Sequence, residues 1–186
     1  MTVISGTGVT SGTQGYELSR LRLRQGELGE IVARVARDPG RWRGLVRYDA
    51  TRRWYHRLEL TDCYEVWLLS WYPGQGTGFH DHGGSRGAFA VACGDLQEQT
   101  VRGAGQVITR TVSGGQVRSF GARFIHHVVN NSSVPAVSVH AYSPPLPPMR
   151  RYELTEGRLR YTGTEPAELA GLPELAGLPE VTGVAR

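Results

Sequence analysis

The chain contains no lysine, and all 21 of its basic residues are arginine. We ascribe this to coding bias rather than chemistry, since the arginines are scattered and no run exceeds the pairs Arg52-Arg53 and Arg150-Arg151. With a formal net charge of only +4 they read as solvated surface, not as a nucleic-acid-binding stripe. Cysteine is almost as scarce. Cys63 and Cys93 are too few for a disulfide scaffold and are expected as free thiols in strands. Long apolar runs are missing too, and none approaches the roughly 18 residues that cross a bilayer. Residues 1–15 are rich in Gly, Thr and Ser and have neither a basic start nor an apolar stretch, so they do not read as a signal peptide. The expectation is a cytoplasmic protein with neither membrane nor nucleic acid as a partner.

What is present suits one folded domain. The 186 residues are 39% apolar, with four Trp and eight Tyr, enough for a substantial core. The composition divides the chain into a disordered N-terminus (1–15), a domain (16–163) and a flexible tail (164–186). In the tail, Glu168-Leu169-Ala170-Gly171-Leu172-Pro173 is repeated at once as residues 174–179. Two six-residue copies are too short for a solenoid, and a docking segment is the alternative reading. Leu28, Ile31, Val32 and Val35 form an apolar stripe that predicts a helix over 25–37, stopped by Asp38-Pro39-Gly40. From Trp42 the pattern turns to short strands between glycine turns. They are predicted over 54–60, 64–72, 87–93, 95–102, 107–112, 117–120, 126–130 and 137–143. That spacing predicts an all-β domain, a sandwich or small barrel, behind a short N-terminal helical segment.

His80-Asp81-His82 is the most informative motif. Residues i and i+2 of a strand share a face, so both imidazoles point the same way. Neutral imidazole is the commonest side-chain metal ligand, which makes the pair half of a metal site. Gly74, His80, His82 and Gly94 fall at the spacing G-x5-H-x-H-x4-(E)-x6-G, and Gly115, His126 and Asn130 at G-x5-P-x-G-x2-H-x3-N. Both patterns resemble the cupin superfamily, which implies a small β-barrel with a metal inside. The departures are Gly87 in place of Glu, Gly121 in place of Pro and Arg123 in place of Gly. His126 and His127 are adjacent, so only one can face inward. The cupin spacing to Asn130 selects His126, with His127 as the alternative. Without an acid at Gly87 the ligands would be three neutral imidazoles. That set suits a substrate that brings its own anion, such as a thiolate.

Ser138, His140 and Tyr142 alternate along one strand face. They form either a hydrogen-bonded row or a polar face turned to water. With His126-x3-Asn130, the run from Pro135 to Pro145, His80-Asp81-His82 followed by Ser85, and Tyr55-His56-Arg57 upstream, residues 28–153 resemble the cysteine dioxygenase family, the thiol dioxygenases among the cupins. The resemblance implies one Fe(II) per chain on His80, His82 and His126, and a catalytic row of Ser138, His140 and Tyr142. It also implies a substrate carboxylate held by Arg57 with Tyr55 and Tyr142 beside it. Taken alone, Arg57 reads equally as surface. An arginine there resembles the cysteine-using members, whereas relatives using 3-mercaptopropionate tend to have Gln. The implied reaction is oxidation of L-cysteine by O2 to cysteine sulfinate. Oxidation of another small thiol and a non-catalytic ligand-binding cupin are the rivals. Mammalian members carry a Cys at the position of Gly87, cross-linked to the Tyr matching Tyr142, and that link cannot form here. Bacterial members are similar to this chain in having Gly there. Ser143-Pro144 falls where the family has a cis peptide. The expected state is a monomer.

Overall fold

A computed structural model describes residues 22–165. The expectations for residues 1–15 and for the hexapeptide repeat lie outside the described residues. Helix α1 (Gln25–Ala36) opens where the Glu27 carboxylate accepts the Arg24 backbone N–H at 2.6 Å. It ends before Asp38, whose side chain accepts the Gly40 N–H at 3.1 Å. Eleven strands follow: β1 Trp54–Leu60, β2 Glu65–Trp71, β3 Phe79–His80, β4 Arg86–Cys93, β5 Asp95–Arg102, β6 Gln106–Ser113, β7 Val117–Phe120, β8 His127–Val129, β9 Ala136–Ser143, β10 Met149–Thr155 and β11 Arg158–Glu165.

All pairings are antiparallel. One sheet runs β1-β2-β9-β4-β7, a second β6-β5-β8 and a third β11-β10-β3. The bridges Gly76↔Val129 and His80↔His126 tie the small sheets together. The result is the mainly β barrel with a short N-terminal helix that the sequence predicts.

The period of two in β2 and β9 builds two cores. Val66, Leu68, Val139 and Ala141 face outward and are covered by Leu28, Val32 and Val35 of α1. Each such side chain, fully buried, contributes about 1.5–3 kcal/mol of transfer free energy. Trp67, Leu69 and Trp71 face the barrel interior with Phe89, Val91, Leu96 and Phe120. Because α1 covers the outside, β2 is buried along its whole length, and it reads as a continuous apolar run instead of an alternating one. Cys63 and Cys93 are free thiols.

Three strands lie beyond the expected set. β3 has only two residues, too few to carry a periodic signal. β10 and β11 form a hairpin whose alternation is mostly polar, and their turn is Glu156-Gly157, both with positive φ. Such two-residue turns usually carry Asn-Gly or Asp-Gly, so this one gives little warning. Thr164 and Glu165, assigned by composition to the tail, close β11 opposite Arg150 and Met149. Among the described residues no helix is long and apolar enough to cross a membrane.

Candidate active site

His80 sits in β3, and its backbone exchanges two hydrogen bonds with His126, 3.0 and 3.1 Å long. Asp81 points the other way. Its carboxylate accepts from the Gly83 N–H at 2.9 Å, the Tyr152 hydroxyl at 2.9 Å and the Arg150 N–H at 3.2 Å. Asp81 thus pins the outer side of the turn while the flanking histidines face inward. The three rings of His80, His82 and His126 lie 4.9–5.0 Å apart between centroids. They are buried, and each offers a nitrogen within 4.8 Å of the others. His127 faces away. Its ring packs edge-on against Phe79 at 5.7 Å and occupies the space a Cβ on Gly76 would need.

The donor set fits a divalent transition metal. His80 Nδ1 donates to the Gly78 carbonyl at 3.1 Å and His126 Nδ1 faces the Glu98 carboxylate at 2.9 Å, so each turns Nε2 inward. Both His82 ring nitrogens are buried, with the Phe124 backbone nearby and no well-formed hydrogen bond among the described residues. A buried ring nitrogen left without a partner is costly unless a ligand takes it. Burial, then the charge of His126, holds His80 and His82 well below the usual imidazole range. Both are therefore neutral and available as ligands.

The row on β9 is connected. The Trp71 indole N–H donates to Ser138 Oγ at 2.9 Å, Ser138 Oγ lies 2.8 Å from His140 Nε2, and His140 Nδ1 lies 3.2 Å from the Tyr142 hydroxyl. Trp71 can only donate. Every proton is used if Ser138 donates to Nε2 and Nδ1–H donates to Tyr142. This leaves the Tyr142 hydroxyl hydrogen free to enter the cavity. Burial, then Glu65, pushes the Tyr142 phenol well above its usual range, so it remains a donor.

Burial, then the charges of His126 and Arg53, lowers His140 to about 3. Between about pH 3 and 6.5 the unfolded chain binds a proton at this position that the folded chain does not. Stability therefore rises with pH across that window and is lost on acidification. The melting temperature of the metal-free protein should fall as pH drops below about 6.5, and less steeply in His140→Gln.

One cavity joins these groups. Among its lining residues are His80, His126, His140 and Tyr142, with Trp67 and two arginines, Arg53 and Arg151. Arg57 does not line it, which corrects the sequence-based expectation. Arg53, just ahead of β1, and Tyr55 and Arg57 within it share a face, but four residues of strand span about 13 Å. Arg57 stands opposite Trp67 near the hairpin, half-exposed, over the Trp67 ring at 5.3 Å and 3.8 Å from Glu65. Arg53 lies at the other end, over the Trp71 ring at 4.9 Å. Tyr55 is buried edge-on to Trp67 and is not a cavity-lining residue.

Among the described residues, Arg53 Nε, Trp67 Nε1 and Arg151 Nε are buried donors without a hydrogen-bond partner. Arg151 also bonds the Thr77 carbonyl at 2.6 Å and pairs with Glu165. Burial, then Arg151, lowers Arg53 only to about 10, so it remains a cation at neutral pH.

Gly87 is dictated by its neighbours. A Cβ there would collide with the Phe120 ring and come within 3.0 Å of Tyr142 Cδ1. Phe120 in turn stacks on His82 at 4.5 Å. Gly87→Cys should therefore cost about 1–3 kcal/mol through overpacking. It should form no thioether to Tyr142 by intact mass until Phe120 is also shortened to Ala. Ser143-Pro144 is cis.

A β-barrel with three inward imidazoles that could hold a metal ion, beside a connected polar row, defines a cupin with a candidate metal site. The chain belongs to the cysteine dioxygenase type I family, whose model matches residues 20–155. Its fold is similar to that of the TT1209 protein from Thermus thermophilus, with 20% identity over 55% of this chain and 93% of that one and a TM-score of 0.50. A protein with a double-stranded beta-helix domain from Klebsiella pneumoniae is 19% identical over 55% of this chain and 85% of its own, with a TM-score of 0.49. A search of curated protein sequences gives no match.

Proposed function

We propose that the protein is an iron(II)-dependent thiol dioxygenase that oxidises L-cysteine to cysteine sulfinate. The balance is R–S⁻ + O2 → R–SO2⁻, with both oxygen atoms ending on sulfur. One observation carries this reading. Two of the three clustered imidazoles, His80 and His126, and a cationic Arg53 with a buried, unpartnered donor border the same small cavity. Such a cavity selects an anion-bearing ligand that also reaches the metal.

Fe(II), one per chain, held by His80, His82 and His126, would keep the thiol deprotonated and bring it together with O2. The other roles belong to the chain. Arg53 grips the substrate carboxylate, since a guanidinium can hold both carboxylate oxygens at once. Tyr142 aims its free hydroxyl hydrogen into the cavity. His140 stays neutral and holds that hydroxyl, and Ser138, fixed by Trp71, holds His140. Tyr55 supports the wall by packing on Trp67. A single chain supplies every one of these groups, and we read the working unit as a monomer.

The cavity offers two arginines and, among its lining residues, no carboxylate. Among these lining residues the substrate amine therefore has no anionic partner. This favours, as the second reading, a thiol without an amine, such as 3-mercaptopropionate. Oxygen uptake by iron-loaded protein with each thiol, and product identification by mass spectrometry, decides between them. L-cysteine should give at least about tenfold the higher kcat/KM. The reverse order moves the assignment to the second reading. Absence of sulfinate from either thiol would leave a non-catalytic cupin.

A further inference from the structure

The ligand positions carry no acid, because Gly87 stands where the cupin pattern has glutamate. An acid is nevertheless buried directly behind one of them. Glu98 of β5 is 2% exposed, with Oε1 2.9 Å from His126 Nδ1 and Oε2 accepting from Arg118 Nε at 2.8 Å. The other two imidazoles lack such backing. His80 leans on a neutral carbonyl, and His82 has at most the Phe124 backbone beside it and no carboxylate partner among the described residues.

A neutral glutamine at position 98 could hold the His126 Nδ1–H equally well through its carbonyl oxygen. Burying a carboxylate instead carries a large desolvation penalty before its partners compensate. The charge itself therefore needs a reason. A carboxylate on the far nitrogen of a metal-binding imidazole fixes its tautomer and raises its basicity. Arg118 competes for the same carboxylate. Its side chain is 26% exposed, so the chain of contacts runs from solvent through Arg118 and Glu98 to His126.

We infer that Glu98 is a positioning residue that supplies, through His126, negative charge that the ligand set itself lacks, and that Arg118 sets how much of it the imidazole feels. This rests on the reading of His80, His82 and His126 as metal ligands. The two side chains then act with opposite signs. Loss of Glu98 charge disfavours the more oxidised metal, and loss of Arg118 charge favours it.

The test uses the full-length parent, Glu98→Gln and Arg118→Gln. Fe(II) affinity of the metal-free proteins is measured by chelator competition, and the Fe(III)/Fe(II) midpoint potential on the loaded proteins without substrate. Circular dichroism and melting temperature follow the fold. Glu98→Gln should bind Fe(II) about tenfold more weakly and show a raised potential. Arg118→Gln should show a lowered potential. Shifts of the same sign in both variants, which a purely structural role would give, overturn the inference. So do parent-like values in Glu98→Gln. Should Glu98→Gln fail to fold, Arg118→Gln decides alone, and an unchanged or raised potential there overturns it. A parent that binds no Fe(II) sinks the metal-site reading together with this inference. Unresponsive variants of an iron-binding parent sink this inference alone.

Discussion

Arg53→Gln should lower kcat/KM for L-cysteine on the order of 10²- to 10³-fold, while Arg57→Gln stays within about twofold of the parent. The magnitude follows from removing one partner of a desolvated, charge-assisted pair, which costs about 2–5 kcal/mol. Arg53 borders the cavity, keeps its charge and has a buried donor with no partner among the described residues. Arg57 already rests on Trp67, near Glu65 at 3.8 Å, with 39% of its side chain exposed. A solvent-screened pair of this kind contributes little. Two controls sharpen the test. Iron content should be unchanged in both variants, since neither side chain is a ligand. Cysteamine, a thiol with an amine and no carboxylate, should be a poor substrate for the parent and for Arg53→Gln alike. Selective damage in Arg57→Gln would return the carboxylate clamp to the position the family motif suggests.

The contrast between Arg53 and Arg57 shows where a sequence stops being legible. A strand period says that residues 53, 55 and 57 share a face, and it cannot say which of them reaches the cavity. That depends on where β1 pairs with β2, a register set by the Thr61–Tyr64 turn and by the irregularity between Arg57 and Glu59. The Tyr-x-Arg spelling points to Arg57, whereas the cavity is lined by Arg53, four residues earlier. His80 and His82 were legible from their i, i+2 spacing, although only His80 lies in a strand and His82 follows in the extended segment beyond it. The helix was legible because its stripe needs only local spacing, and β1, β5 and β7 lie where the alternation and turns predict them. Ser138, His140 and Tyr142 were visible as a row, but the row and a solvated face share one spelling. The deciding facts are the burial of all three and the donor from Trp71, 67 residues away. Glu98 gave a faint signal, an acid two residues after Leu96, and these two are the buried positions of their strand. Its partner across the barrel could not be read at all. Arg151 gave none, since nothing marked β10 as a strand.

His126→Ala should abolish stoichiometric Fe(II) binding, whereas His127→Ala should keep it. The two residues are neighbours in sequence and face opposite ways. His126 is 2% exposed and lies 4.9 and 5.0 Å from the His80 and His82 rings. His127 is turned toward Phe79 and Gly76. Removing a supporting residue behind a ligand costs about 10–100-fold in metal affinity, and deleting one of three ligands should cost more. The same deletion leaves Glu98 facing a hole with its imidazole partner gone. Added imidazole can fill that hole, with one nitrogen toward Glu98 and the other toward the metal site. Millimolar imidazole should therefore restore Fe(II) binding to His126→Ala in part, and should not do so once Glu98 is also changed to Ala. If His127→Ala loses iron as completely as His126→Ala, the ligand assignment is wrong. Loss of iron in His126→Ala with no response to imidazole would instead mean that the barrel closes over the vacated site.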